Sequence, residues 1–179
     1  MKIYDLKTEY RENPIGLAVA KPRFSWKMRT DEKNIIQNIY RIEVTDGEKS
    51  VWDTGMRESS DSVLVPYEGE PLCDETLYNV KVTVWDNYGR ADSAEATFET
   101  GVFDSQTFRA QMITHDFEKE ETACPVFYKN IALKGDVKKA RLYATAQGVY
   151  EFAVNGVKAG EDRMTPGWTS YHNRLQYQI

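Results

Sequence analysis

The chain has 179 residues, 41% apolar and 28% charged, with a formal net charge of -5. That apolar content supports a packed core and excludes wholesale disorder, and the length allows one or two domains but not a catalytic barrel of several hundred residues. No apolar run reaches membrane-spanning length, the first residues lack a signal-peptide core, and an acidic pI of about 5.2 argues against nucleic-acid binding.

Val, Ile, Thr, Tyr, Phe and Trp together make 59 of the 179 residues, while Leu occurs 8 times. β-Branched and aromatic side chains suit a pleated surface, so the composition predicts an all-β protein. Phe24-Ser25-Trp26-Lys27-Met28 alternates apolar and polar residues, the period of a half-buried strand. Tyr40, Ile42 and Val44 share one face of the next strand, and Asp46-Gly47 turns the chain into a return strand at 50–54. Val63-Leu64-Val65 reads as a short strand ended by Pro66. Residues 78–85 are the clearest strand, with Tyr78, Val80, Val82 and Val84 on one face. Asp86-Asn87-Tyr88-Gly89 turns into a partner strand at 94–100. Short strands at this spacing predict an immunoglobulin-like or fibronectin type III-like sandwich over residues 1–101.

The charge balance steps at Gly101, from a net of -6 over residues 1–101 to +1 over 102–179. A second unit is therefore expected at 102–179. Strands are predicted at 125–133 and 137–146, and again where Tyr150, Phe152 and Val154 alternate. Asn155-Gly156 is the strongest hairpin signal of the chain. The last residues, Leu175-Gln176-Tyr177-Gln178-Ile179, read as a strand in progress, so this unit is expected to be incomplete.

The common catalytic signatures are absent. Cys73 and Cys124 have no metal-ligand spacing and read as free thiols in a reducing compartment. His115 and His172 are far apart in sequence and read as loop residues. Asp116, Glu118, Glu120 and Glu121 form an acidic run that reads as a solvated loop. Glu161 and Asp162 follow the hairpin and are the candidates for calcium. Trp168 and Tyr171 share a loop, where aromatic rings can stack on a sugar. With Asp162 they are the candidate carbohydrate-binding residues, and no catalytic residue is assigned.

Read together, the landmarks resemble the N-terminal region of bacterial α-L-rhamnosidases of glycoside hydrolase family 78. The residues that carry the resemblance are Asn13-Pro14-Ile15-Gly16-Leu17, Pro22-Arg23-Phe24-Ser25-Trp26, Tyr40-Arg41-Ile42-Glu43-Val44, Val51-Trp52-Asp53-Thr54-Gly55, Tyr78 through Gly89, and Phe98-Glu99-Thr100-Gly101. Further along they are Ala140-Arg141-Leu142-Tyr143, Gly148-Val149-Tyr150-Glu151, Val154-Asn155-Gly156 and Pro166-Gly167-Trp168-Thr169-Ser170-Tyr171. The resemblance implies a fibronectin type III-like sandwich followed by an incomplete jelly-roll-like β domain. It implies inverting hydrolysis of terminal α-L-rhamnose by two carboxylates in an (α/α)6 barrel, none of which matches a residue here. The chain alone is then a non-catalytic accessory region. Its partners would be the missing catalytic part of the same polypeptide and rhamnose-containing glycans, with no nucleic acid and no membrane. No cofactor is expected, with calcium held open for the second domain. A cytoplasmic location is expected from the lack of a signal peptide. The alternatives are a carbohydrate-binding module and a stand-alone β-sandwich interaction domain.

Overall fold

The computed structural model describes residues 1–104, 106, 108–116 and 124–179. Of the acidic run, Glu118, Glu120 and Glu121 lie outside the described residues. Two compact units form, Met1–Phe108 and Arg109–Ile179. The segment after Gly101 stays with the first unit, where the Phe103 amide donates to Asp74 Oδ1 at 3.1 Å.

The first unit packs two antiparallel sheets. One has three strands in the order β1 (Lys2–Thr8), β2 (Arg23–Arg29), β6 (Val65–Pro66). The other runs β4 (Lys49–Asp53), β3 (Gln37–Asp46), β7 (Leu77–Asp86), β8 (Ala91–Glu99), with the short β5 (Arg57–Glu58) also paired to β3. Tyr78, Val80, Val82 and Val84 alternate inward along β7, as their period of two requires. They meet Ile42 and Val44 of β3, Phe98 of β8, and Phe24 and Trp26 of β2 in one core. Each fully buried Val, Ile or Phe there contributes roughly 1.5–3 kcal/mol. Aromatic rings bridge the sheets: Phe24 lies 5.9 Å from Phe98, and Trp26 meets Tyr40 edge-on at 5.5 Å.

β1 is absent from the sequence-based expectation, for a physical reason. Its inward residues are Ile3, Leu6 and Thr8, so the alternation slips by one. The slip is a bulge between Tyr4 and Lys7, with Asp5 at a left-handed φ of 54°. Lys7 and Lys27 hold the Asp5 carboxylate at 2.9 and 2.7 Å. The expected strand at Val63-Leu64-Val65 is also corrected. Leu64 is left-handed at φ 54° and Val63 is exposed, so only Val65 and Pro66 pair with β2.

The Asn13-Pro14-Ile15-Gly16-Leu17 motif covers the open edge of β8. Asn13 Oδ1 accepts from the Thr97 amide at 2.9 Å, and the Pro14 carbonyl from Glu99 at 2.8 Å. Leu17 then bridges Thr100 in parallel. The strap fills the hydrogen-bonding edge that would otherwise template association. At the same end of the fold, where Tyr78 pairs with Phe98, Tyr78 Oη accepts from the Cys73 amide at 2.8 Å, tying the start of β7 to the preceding corner. Immunoglobulin-like sandwiches use a tyrosine this way.

The second unit carries fewer ladders. Its one described sheet is the hairpin of β9 (Ala153–Val154) and β10 (Val157–Lys158). Asn155 and Gly156 turn it with φ of 51° and 81°, as a two-residue turn of this hand demands. The strands expected at 125–133 and 137–146 are corrected: those residues form no ladder, and only Ala144 bridges, to Gln178. Ala140, Leu142, Ala144 and Ala146 do alternate in the second of these stretches, but a strand also needs a neighbour to take up its backbone groups.

Candidate functional site

The candidate residues of the second unit sit on one loop system beyond the β9–β10 hairpin. Gly160, at φ 78°, turns the chain out of β10 into Glu161-Asp162-Arg163-Met164. Glu161 and Asp162 are both exposed. A calcium ion takes six to eight oxygen ligands. No group of three or more His, Cys, Asp or Glu suited to a metal ion forms among the described residues.

Thr165 brings the loop back to the body of the unit. The Tyr150 amide donates to the Thr165 carbonyl at 2.8 Å, and Thr165 Oγ1 donates to the Tyr150 carbonyl at 3.1 Å. Tyr150 Oη in turn donates to the Ala144 carbonyl at 3.2 Å and contacts Gln178 Oε1 at 3.2 Å. Burial pushes the Tyr150 phenol up, so it stays a neutral hydroxyl and a standing donor. Beside it, Lys158 Nζ reaches Glu151 Oε2 at 2.8 Å across the hairpin and holds that carboxyl below its usual range.

After the buried Pro166 comes Gly167 at φ 95°. A Cβ there would also lie 3.2 Å from Gln176 Oε1, so glycine serves both backbone and space. Trp168 then stands out from the surface, 86% exposed. Tyr171 is half-buried, and its Oη accepts from the Gly148 amide at 2.8 Å. The two rings lie 6.2 Å apart and tilt by 38°, forming an open wedge. Beyond them a turn closes: the Asn173 and Arg174 amides donate to the Ser170 carbonyl at 2.8 and 2.9 Å. Thr169 Oγ1 donates to the Arg174 carbonyl at 2.6 Å.

The structure thus brings Trp168 and Tyr171 together and places Asp162 on the preceding limb of the same loop system. The role of Gly148 in anchoring Tyr171, 23 residues away, was not readable in sequence: a bare glycine signals a turn, not a donor. Thr165, the clasp to Tyr150, was not readable either, because its partner lies 15 residues away. Elsewhere in this unit, His115 and Asp116 border a shallow groove of about 520 Å³ with Thr114, Pro125, Val126 and Phe127. In the first unit, a groove of about 470 Å³ lies over Tyr4, Asp5, Glu12, Asn13 and Glu95.

Comparison with known proteins gives two family matches. Residues 3–104 match the Rha78A-like N-terminal immunoglobulin domain, and residues 135–179 match the α-L-rhamnosidase N-terminal domain. An α-L-rhamnosidase of Formosa agariphila is 32% identical over 182 residues, covering 92% of this chain and 20% of the relative. One of Streptomyces avermitilis is 30% identical over 200 residues, covering 94% of this chain and 19% of the relative. The solved α-L-rhamnosidase of Dictyoglumus thermophilum superposes with a TM-score of 0.87 at 32% identity, covering 98% of this chain and 22% of that one. The chain spans about a fifth of the length of the curated relatives it matches.

Proposed function

This chain belongs to the family of the Rha78A-like N-terminal immunoglobulin domain, and on that footing we propose that it is the non-catalytic N-terminal accessory region of an α-L-rhamnosidase. The activity it serves is hydrolysis of terminal α-L-rhamnose. Its main partner is then the catalytic part of the same polypeptide, and its wider ligands are rhamnose-containing glycans. The observation that carries this reading is the extent of the match. More than nine-tenths of this chain aligns with about a fifth of each relative, and the alignment runs through both units.

The residues described fit a supporting role. Inverting glycoside hydrolysis needs two carboxylates facing each other across a sugar. In the first unit several acidic side chains are used structurally: Glu9 is clamped by Arg23, Asp53 by Arg41, and Asp86 by Arg90. The sandwich offers a packed body whose β8 edge is covered between Thr97 and Gly101 by residues 13–17. The second unit offers a loop system with an exposed aromatic pair.

The test compares this chain with a longer polypeptide that continues through the coding sequence after Ile179, both assayed on an aryl α-L-rhamnoside. Turnover by the longer form alone is expected. An inactive longer form, or equal activity in both, overturns the reading.

A further inference from the structure

We infer that the first unit exchanges its first strand between copies: residues 2–9 of one chain leave their own β2 and pair with β2 of a second copy. Each sandwich of the resulting dimer is then completed by the other's β1.

The first observation is a strained turn directly after β1. Glu9 and Tyr10 close a two-residue hairpin: the Thr8 amide donates to the Arg11 carbonyl and the Arg11 amide to the Thr8 carbonyl, both at 3.0 Å. Both turn residues are left-handed, with φ of 47° and 68°. Such a turn suits Asn-Gly, and the same chain uses that pair for it at Asn155 and Gly156. A glutamate and a tyrosine in this conformation bring Cβ too close to the following carbonyl oxygen. An extended hinge removes that strain. Strain in a short hinge, relieved when the hinge opens, is what drives a segment to exchange between identical chains.

The second observation is how sharply the movable piece is bounded. From Asn13 onward the chain is tied to β8 of its own body, through Asn13 to Thr97, Pro14 to Glu99 and Leu17 to Thr100. Between β1 and that anchor, Tyr10, Arg11 and Glu12 are all exposed, so they can extend in water. Upstream, β1 is held by contacts that re-form when the strand comes from a second copy, because strand and slot are unchanged. These are the ladder from Lys2–Arg29 to Thr8–Phe24, the Lys27–Asp5 pair at 2.7 Å, and the grip of Arg23 on Glu9. What exchange gives up is the pair of Thr8–Arg11 bonds and the place of the Tyr10 ring beside Arg23, at 5.8 Å.

The third observation is the loose seat of β1 on its other side. Among the described residues no ladder joins β1 to β8. Tyr4, Asp5 and Leu6 face the small Ala94 and Ala96 across the groove of about 470 Å³, and the Ile3 amide donates to Asp92 Oδ2 at 2.8 Å. One ladder, interrupted by the bulge at Asp5, therefore has to open for β1 to leave.

The test incubates equal amounts of heavy-nitrogen-labelled and unlabelled chain, joins carboxylates to amines with a carbodiimide, and separates dimer from monomer by size. Asp5 and Lys27 are close enough to be linked directly. In the dimer, mass spectrometry should find Asp5–Lys27 peptides with one labelled and one unlabelled arm. A dimer Kd on the order of 0.1 mM is expected. Tyr10→Pro fixes φ at about −65° and forbids the turn, so it should tighten the dimer about tenfold or more. Tyr10→Gly accepts a left-handed φ and should loosen it about tenfold. Both variants lose the ring beside Arg23, so the difference between them reports the backbone. Three results overturn the proposal: Asp5–Lys27 peptides whose arms always share one label, no dimer at about ten times the expected Kd, or equal dimerisation of Tyr10→Gly and Tyr10→Pro. The label experiment needs no substitution, so it decides the matter even where Tyr10→Pro fails to fold.

Discussion

The Trp26 indole N–H donates to Gln37 Oε1 at 3.0 Å inside the sandwich, a buried polar bond between the two sheets. The same amide uses its Nε2 to reach the Ser59 and Asp61 carbonyls at 3.1 and 2.8 Å. One side chain therefore satisfies three groups and anchors the irregular segment between β5 and β6. Replacing Gln37 with Leu keeps the volume but leaves the buried Trp26 N–H without its acceptor and releases the two part-buried carbonyls. Each buried unsatisfied group costs about 1–3 kcal/mol. Gln37→Leu should destabilise the chain by about 2–4 kcal/mol in urea unfolding. A change within about 0.5 kcal/mol would show that the network is dispensable.

A second prediction concerns space. Tyr67 Oη donates to the Glu70 carbonyl at 2.7 Å, and the turn between them passes over Trp52. A Cβ on Gly69 would stand 2.5 Å from both Trp52 Cβ and Tyr67 Oη. Trp52 Cβ cannot move without its strand, so the turn itself must shift. Gly69→Ala should cost about 1–3 kcal/mol and lower the melting temperature by several degrees. Gly135→Ala meets nothing within 4 Å and serves as the control, with little change expected.

Stability in acid follows from the carboxylates of the first unit. Arg41 grips Asp53 with two bonds at 2.9 and 2.6 Å, and the Gly55 amide donates at 2.8 Å. These bonds hold the Asp53 carboxyl at about 2. Asp5, gripped by Lys27 and Lys7, and Glu9, gripped by Arg23, are also lowered. For Asp86, burial pushes upward, but amide donation from Arg90 and Tyr88 and the Arg90 guanidinium outweigh it. A lowered folded-state pKa stabilises the fold above the unfolded value and loses that effect as protons bind. The urea midpoint should hold near neutrality and fall as pH drops from about 4 towards 2. Asp53→Asn should flatten part of that slope. A midpoint that rises over this range would contradict the assignment.

Calcium offers a further check on the second unit. Glu161 and Asp162 supply two carboxylates on an exposed turn, and a calcium ion there would need further oxygen ligands from carbonyls or water. Millimolar calcium should leave the melting temperature unchanged, and chelation should leave it unchanged as well. A calcium-dependent rise would show that these carboxylates are gathered by groups the fold does not place beside them.

Much of the sandwich was legible because its strands alternate without interruption. β7 and β3 could be read from Tyr78, Val80, Val82, Val84, Ile42 and Val44 alone, since one face must be buried. β1 could not, because the bulge at Asp5 shifts Leu6 and Thr8 onto the face that strict alternation forbids. The second unit shows the converse failure. Residues 125–133 and 137–146 carry a strand-like pattern, yet pattern reports only which side chains prefer burial. Whether a ladder forms depends on a partner strand, and none pairs with them among the described residues beyond the Ala144–Gln178 bridge. In the candidate site, Trp168 and Tyr171 were readable as neighbours in one loop. Their fixing by Gly148, Thr165 and Tyr150 was not, since those contacts join positions distant in sequence.

The central claim, that this chain serves an α-L-rhamnosidase without performing the hydrolysis, is tested most directly by incubating the purified chain with an aryl α-L-rhamnoside and following aglycone release. The account predicts release indistinguishable from buffer. Turnover that scales with the concentration of this chain would contradict it.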